Sequence, residues 1–157
     1  MSRRNLATVA GLMFFFLCGG VFVSAQDVPL PTLPAGAGAA DKDAPKTFTA
    51  TPSGLKYRVL RKGTGVQPKA TNKVTVHYHG WLDNGKVFDS SYDRKESIAF
   101  GLGEVIPGWT EGMQLVGKGG MIELEIPSNL GYGDRGAGGV IPGKATLHFL
   151  VELLDVK

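Results

Sequence analysis

Residues 74–85 read VTVHYHGWLDNG and carry the clearest structural signal of the chain. Apolar Val74, Val76 and Tyr78 alternate with polar residues, which predicts a strand with one buried face and with Tyr78 pointing inward. The strand runs to Asn84-Gly85, a pair that tolerates the positive φ angles of a tight turn. This segment therefore predicts a long amphipathic strand that ends in a turn.

The same alternation recurs elsewhere, and a single short helix interrupts it. Further strands are predicted at residues 55–59, 98–102, 121–126 and 145–153. The helix is predicted where Trp109, Met113 and Val116 recur at spacings of four and three. Pro107 suits its first turn, and the glycines after Val116 end it. About five strands and one helix predict an α+β fold, in which a curled antiparallel sheet wraps around the helix.

The chain is predicted to have three parts. Residues 1–25 have the features of an export signal, because Arg3 and Arg4 precede a charge-free apolar run that ends in small residues. Residues 26–50 are rich in Pro, Ala, Gly and Asp without any apolar period, which predicts a disordered linker. Residues 51–157 hold the regular pattern and form the predicted domain.

The N-terminal segment predicts an exported protein of the periplasm or cell envelope. Its Arg3-Arg4 pair also fits a twin-arginine signal. Its apolar run is near the minimum length of a spanning helix, so an uncleaved anchor is the alternative to cleavage after Ala25.

Charge and cysteine content exclude several classes of function. The net charge is +3, and it falls to +1, with 15 basic and 14 acidic residues, once Arg3 and Arg4 are removed. This balance favours neither nucleic acid nor an anionic membrane as a partner. The single cysteine, Cys18, lies within the signal. The remaining chain therefore offers no disulfide, cysteine nucleophile or thiolate metal site.

Two glycine patterns resemble nucleotide sites but lack the required context. Residues 131–136 fit the dinucleotide fingerprint, which needs a helix directly after the glycines, and residues 137–142 cannot begin one. Residues 112–119 approach a phosphate-binding loop but end a helix instead of starting one, so the helix dipole has the wrong direction. Neither pattern predicts a nucleotide site.

Two constellations of polar residues have simpler explanations. His77, His79 and His148 are candidate metal ligands, but the alternation favours polar side chains on the solvent face of the sheet. Ser90, His77 and Asp89 contain the residue types of a hydrolase triad, but Ser90 has neither a nucleophile elbow nor an evident oxyanion loop. We therefore expect neither a metal centre nor a hydrolase.

What remains unusual is a set of large apolar residues in turns and loops. Phe88-Asp89 follows the predicted turn, while Tyr132 and Val140-Ile141 lie in a loop rich in glycine. Connecting loops run over the protein surface, so core packing explains such residues poorly. For Phe100, in contrast, burial in the core is a sufficient explanation.

Five motifs follow one another along the predicted domain. They are Tyr78-His79-Gly80, residues 84–91 (NGKVFDSS), residues 102–109 (LGEVIPGW), Gly131-Tyr132-Gly133 and residues 141–149 (IPGKATLHF). In this order they resemble the motifs of the tacrolimus-binding (FKBP) prolyl isomerases, over the whole of residues 51–157. The resemblance implies a half-barrel sheet around the helix, with a proline pocket between them. It also implies peptidyl-prolyl cis–trans isomerase activity without a cofactor.

By matching motifs, the resemblance implies a role for individual residues. Trp109 would form the pocket floor. The walls would be Tyr78, Phe88, Val105, Ile106, Val140, Ile141 and Phe149. Ile98 is also assigned to substrate binding, at a position where relatives commonly have an aromatic residue. Ala137 likewise stands where a histidine is frequent.

The resemblance also implies the polar contacts of the site. The Ile106 backbone N–H and the Tyr132 hydroxyl would each hold a substrate carbonyl. Asp89 would lie at the rim, paired with Arg94. We expect no acid–base pair, because rotation about an amide needs no proton transfer.

The expected partners are proline-containing polypeptides, with tacrolimus-like macrolides as inhibitors. Since the linker shows no amphipathic helical period, a monomer is expected. The main alternative is a binding module, a proline-pocket chaperone with little turnover. A purely structural envelope protein is the third reading, but it would not need a loop that carries Tyr132 beside Val140-Ile141.

Overall fold

The computed structural model describes residues 27–157. In this part of the chain, seven strands form one antiparallel sheet and one α-helix packs on it. The elements are β1 (Thr49–Ala50), β2 (Lys56–Arg61), β3 (Lys73–Leu82), β4 (Val87–Ser90), β5 (Ile98–Gly101), α1 (Pro107–Met113), β6 (Met121–Ile126) and β7 (Leu147–Val156), with a 3₁₀ turn at Ser128–Leu130. The order is β1-β2-β6-β7-β3-β4, and β5 also pairs with β3. The predicted α+β fold is therefore confirmed, with β1 and β4 in addition.

Strand β3 organises the sheet. Its first half pairs with β5 (Val74 opposite Phe100), and its second half pairs with β4 (Gly80 opposite Asp89). Along its other edge it pairs with β7. The predicted turn closes the β3–β4 hairpin, where Gly85 has φ +79°. The two short strands β4 and β5 are thus placed by one long strand.

Helix α1 lies unusually close to β6 on the concave face of the sheet. A Cβ atom on Gly108 would lie 2.5 Å from Ile126, and one on Gly112 would lie 2.7 Å from Leu124. Glycine at these positions lets the helix backbone approach the strand. The helix is shorter than its apolar spacing predicted, and Val116 is buried just beyond its end.

The main core fills the space between the helix and the concave face. It is built from the inward residues of every long strand together with Trp109 and Met113. Its buried strand members include Val74, Val76, Tyr78, Ile122, Leu124, Ile126, Leu147, Phe149, Val151 and Leu153. The alternation read from the sequence identified this face correctly.

Residues 27–48, which we call the strap, cross the convex face of the sheet. The Arg58 guanidinium donates hydrogen bonds to the carbonyls of Val28 (2.7 Å) and Pro29 (2.7 Å). The Gly38 N–H donates to Glu152 Oε1 (3.1 Å). Leu33 and three strap alanines pack on a small cluster of Leu60, Met121 and Leu150. The strap is thus anchored by charged side chains of the sheet and by apolar packing.

This arrangement differs from the disordered linker that composition predicted for residues 26–50. The anchoring groups are strap carbonyls and small alanine side chains, and neither produces an apolar period. The ordered part of the molecule also begins before Thr51, because Thr49 pairs with Tyr57 in the sheet.

The predicted export signal, residues 1–25, lies outside the described residues. Among residues 27–157, no helix combines the length and apolarity needed to cross a bilayer.

Candidate functional site

A cavity of about 460 Å³ opens on the concave face, between the helix, the sheet and the Gly-rich loop. Its lining is mainly aromatic and aliphatic. The lining residues are Tyr78, Phe88, Asp89, Phe100, Glu104, Val105, Ile106, Trp109, Tyr132, Ala137, Gly138, Val140, Ile141 and Phe149. A cavity of this size and composition fits a small apolar group held by a few polar contacts.

Aromatic rings in edge-to-face contact form the bottom of the cavity. The Trp109 ring lies 5.3 Å from that of Phe149, 5.5 Å from that of Tyr78 and 5.7 Å from that of Phe100, with interplanar angles above 80°. Phe88 meets Phe149 in the same way at 5.4 Å. Such contacts are a favoured geometry for aromatic pairs, and they hold each ring in place.

Gly80 makes this arrangement possible. It pairs with Phe149 across β3 and β7, and its Cα faces the cavity side of the sheet. A Cβ atom there would lie 2.7 Å from the Phe88 ring and 2.8 Å from the Phe149 ring. Any larger residue would displace these rings, so the glycine after Tyr78-His79 serves ring packing.

A polar triad occupies one side of the rim. The Tyr78 hydroxyl donates to Asp89 Oδ2, the Arg94 guanidinium donates to Asp89 Oδ1, and it also donates to the Tyr78 hydroxyl (3.1 Å). Burial alone would raise the pKa of Asp89, but the hydrogen bonds from Tyr78 and Arg94 outweigh it and lower this pKa. Burial, together with the bond to Asp89, raises the pKa of Tyr78. Asp89 is therefore an ionised anchor for Tyr78, already compensated by Arg94.

The Gly-rich loop, residues 131–143, also lines the cavity. The Ala137 and Ile141 backbones bond to each other (3.0 Å both ways), and Lys144 N–H donates to the Gly133 carbonyl (2.8 Å). Positive φ angles at four glycines allow this tight path. As a result Ile141 is buried while Tyr132 and Val140 stay exposed at the mouth.

Two hydrogen-bonding groups at the cavity have no partner among residues 27–157. The Ile106 N–H precedes the first turn of α1, whose early N–H groups lack intrahelical acceptors. The Tyr132 hydroxyl lies at the mouth and is 43% exposed as a residue. Both are thus available to a ligand carbonyl.

Comparison with known proteins agrees with this geometry. The sequence model of the family described as FKBP-type peptidyl-prolyl cis-trans isomerase matches residues 64–154. This chain belongs to that family.

Relatives and solved structures support the assignment. A probable FKBP-type isomerase of Haemophilus influenzae is 53% identical over 111 residues, which cover 71% of this chain and 46% of the relative. An FK506-binding protein of Neisseria meningitidis is 54% identical over 99 residues, covering 62% and 91%. The crystal structure of FkpA from Escherichia coli superposes with a TM-score of 0.68 at 49% identity, covering 70% of this chain and 51% of that one. The chain thus spans about half the length of some relatives.

The FKBP cavity gathers most of the site residues that the motifs predicted. Ten of them line it: Tyr78, Phe88, Asp89, Val105, Ile106, Trp109, Tyr132, Val140, Ile141 and Phe149. Arg94 touches the cavity only through Asp89 and Tyr78. Ile98 packs against the main core instead of lining the cavity, although it lies on the same face of β5, two residues before Phe100.

Four lining residues were not predicted as site residues. Phe100 was assigned to the core, and it does pack there and contact the Trp109 ring at 5.7 Å, but it also lines the cavity. Its alternation with Ile98 was the available signal, since both point to the concave face. Glu104, Ala137 and Gly138 line the mouth from loops, where no period indicates direction.

The histidines lie apart from this cavity. His77 Nδ1 is 2.9 Å from Ser91 Oγ and its ring stacks on Tyr92, while His148 Nε2 is 2.7 Å from Asp83 Oδ1. Residues 27–157 contain no group of three metal-binding side chains. The candidate triad is not assembled either, because His77 bonds to Ser91 and Asp89 bonds to Tyr78 and Arg94.

Proposed function

We propose that this chain is a peptidyl-prolyl cis–trans isomerase that accelerates rotation of X–Pro bonds in exported polypeptides. The observation that carries the proposal is the aromatic cavity over Trp109, which offers two hydrogen-bonding groups that have no partner within residues 27–157. Family membership supports the same activity.

The chemistry needs no nucleophile. Amide resonance separates charge and opposes rotation with a barrier of ~18–20 kcal/mol. Uncatalysed X–Pro isomerisation therefore takes roughly tens to hundreds of seconds. In the twisted transition state the resonance is lost and the amide becomes less polar. A dry, apolar cavity favours that state relative to water.

We assign the side chains as follows. The proline ring rests on Trp109 and is enclosed by the surrounding aromatic residues. The Ile106 N–H and the Tyr132 hydroxyl hold carbonyls on either side of the rotating bond. This leaves the bond itself in the apolar part of the cavity. Lowering the barrier by ~4–6 kcal/mol accelerates rotation by roughly 10³–10⁴-fold.

Asp89 supports the site from the rim. Its carboxylate fixes the Tyr78 hydroxyl, and Arg94 holds the carboxylate. The Tyr78 ring contacts Trp109 edge to face at 5.5 Å. The triad thus positions a wall of the cavity and keeps one polar edge beside an otherwise apolar surface.

The setting of this activity is part of the proposal, and the N-terminal sequence supports export. We propose export to the periplasm or cell envelope, with monomeric action on unfolded proline-containing clients and inhibition by tacrolimus-like macrolides. A relative of this chain is named FK506-binding protein, which supports inhibition by macrolides of this kind.

A proline-binding chaperone with little turnover is the alternative, because the same cavity serves both. Exchange NMR on an X–Pro peptide separates them. An isomerase at a small fraction of the peptide concentration brings the cis and trans signals into fast exchange. A binding module only shifts the signals as it saturates. The second result would replace the proposed activity by binding.

A further inference from the structure

The Tyr78 backbone lies at a gap in the pairing of the sheet. Along one edge of β3, the pairing with β5 ends at Val76 and the pairing with β4 begins at His79. Tyr78 is therefore left between two short strands, although it is buried and contributes a wall of the cavity. A buried backbone N–H without an acceptor is costly, so another group has to supply the missing hydrogen bond.

Ser91, the residue directly after β4, supplies this hydrogen bond with its hydroxyl. Two antiparallel residues of a hydrogen-bonded pair normally exchange two backbone hydrogen bonds. Here the Ser91 N–H donates to the Tyr78 carbonyl (3.0 Å), but the Tyr78 N–H donates to Ser91 Oγ (2.8 Å) instead of to a carbonyl. The hydroxyl also lies 2.9 Å from His77 Nδ1 and 3.3 Å from the Tyr78 carbonyl oxygen. Ser91 is fully buried, and its hydroxyl therefore has partners both as an acceptor and as a donor.

These contacts lie next to the hydrogen bond that shapes the rim of the cavity. The Tyr78 hydroxyl donates to Asp89, which is two residues before Ser91. Ser91 thus fixes the backbones of both partners, because it bonds directly to that of Tyr78 and continues that of Asp89. Ser91 itself does not line the cavity. It can therefore influence a bound substrate only through the side chains that it positions.

We infer that Ser91 is a positioning residue whose hydroxyl holds the Tyr78 backbone, so that the Tyr78 ring meets Trp109 and the Tyr78 hydroxyl meets Asp89. This inference rests on the proposed isomerase function. A shift of one wall changes how well the cavity fits the twisted amide, and small displacements of this kind reduce rates strongly.

The first test removes the hydroxyl and leaves the backbone in place. In the full chain, Ser91→Ala should lower kcat/KM by about tenfold, within the range for a displaced positioning group. Ser90→Ala is the matched control, because Ser90 is a buried neighbour whose hydroxyl accepts only a long hydrogen bond from the Asp93 N–H (3.4 Å). This control should keep the wild-type kcat/KM. An equal loss in both variants would show a general effect of truncating a buried serine and would overturn the inference.

A double-variant cycle asks whether Ser91 acts through the contact between Tyr78 and Asp89. In the Asp89→Ala background that contact is already lost, so adding Ser91→Ala should lower kcat/KM by less than about threefold. A role limited to stability would act independently of Asp89. The two losses would then multiply in Asp89→Ala/Ser91→Ala, and this result would contradict the inference. Urea unfolding of each variant ensures that the rates compare folded protein.

The Tyr78 amide proton provides a readout that needs no turnover. In Ser91→Ala its NMR resonance should shift upfield, because the N–H loses its acceptor, whereas Ser90→Ala should leave it in place. An unshifted resonance in Ser91→Ala would overturn the assigned hydrogen bond.

The outcomes separate this inference from the proposed function. A wild-type chain that turns over X–Pro peptides, together with an unchanged kcat/KM in Ser91→Ala, overturns the inference alone. Absence of turnover in the wild-type chain overturns the isomerase function. In that case the same cycle, run on the Kd of an X–Pro peptide read from tryptophan fluorescence, decides whether Ser91 positions the cavity wall.

Discussion

The two faces of the sheet use neighbouring residues of the same strands for opposite purposes. On the concave face, Phe149 and Tyr78 pack aromatic edges around a space that the chain leaves open. On the convex face, Leu150 and Glu152 meet the strap, which covers them with backbone and alanine side chains. Period-two alternation thus separates a face that receives a ligand from one that the chain itself covers.

The faces also differ in how charge is handled. The convex face buries the Arg58–Glu123 ion pair (2.6 Å), and the remaining Arg58 N–H groups donate to strap carbonyls. The cavity floor on the concave face carries no charged side chain, and its one compensated pair lies at the rim. We therefore expect changes on the convex face to alter stability, and changes on the concave face to alter activity as well.

Phe149→Ala should have the largest effect, because Phe149 belongs to both the core and the cavity. It contacts Trp109, Phe88 and Tyr78, and its side chain is buried. Its loss leaves a void that lowers the free energy of unfolding by about 3–5 kcal/mol. Turnover should fall with it. Urea unfolding measures the stability and an isomerase assay measures the turnover. An unchanged unfolding midpoint would contradict the burial of Phe149 in the core.

Arg58→Met should lower stability without a matching loss of activity. It leaves the Glu123 carboxylate buried without its partner, which costs about 3–5 kcal/mol. It also removes the donors that hold the strap. Under conditions where the variant remains folded, kcat/KM should stay near the wild-type value.

The double variant Arg58→Met/Glu123→Leu is the matched control, because it removes both charges. It should recover much of the lost stability, since apolar pairs often replace buried ion pairs without loss. A double variant as unstable as the single one would mean that the strap contacts, not the ion pair, dominate.

Asp89→Ala should impair catalysis more than folding. Removing the carboxylate leaves the Tyr78 hydroxyl with its contact to Arg94 (3.1 Å), and it releases one end of an Arg94 side chain that is 44% exposed. We expect a loss of about tenfold in kcat/KM, equivalent to ~1.4 kcal/mol. Stability should fall by about 1 kcal/mol, the net value of one hydrogen bond. The control is Asp83→Ala, which removes another acidic residue of the same hairpin. Asp83 pairs with His148 and lies outside the cavity, so this variant should keep full turnover. Full turnover in Asp89→Ala would remove Asp89 from the site.

The smallest effect is the pH dependence contributed by Glu152. Burial would raise its pKa, but hydrogen bonds from Tyr92, Arg61 and the Gly38 N–H lower it below the ordinary 4.5. Its contribution to stability is therefore present above pH 4.5 and is lost as the pH falls through the lowered value. The stability difference between wild type and Glu152→Gln should shrink on acidification in this window. A difference that grows instead would reverse the assigned direction.

Period-two alternation was sufficient to predict five of the seven strands and the buried face, because one face of each of these five strands is apolar. It missed β1, whose two residues are too few to show a period, and β4, whose sequence Val87–Ser90 (VFDS) does not alternate between apolar and polar side chains. The cavity walls were predicted by motif resemblance. Phe100 was missed because its contact with Trp109 joins a strand to the helix, and Glu104 was missed because it lies in a turn, where no period indicates direction. The strap was missed because its anchors are backbone carbonyls, which carry no sequence signal.

One titration tests the central claim that the Trp109 cavity catalyses X–Pro rotation. Trp81 and Trp109 are the only tryptophans of the chain, so Trp81→Phe makes Trp109 the sole indole reporter. A tacrolimus-like macrolide is added to this variant while peptide isomerisation and Trp109 fluorescence are recorded together. We predict rapid isomerisation that falls in parallel with the fluorescence change and ends at one equivalent. Isomerisation that persists after the Trp109 signal has saturated would place catalysis elsewhere, and would contradict this account.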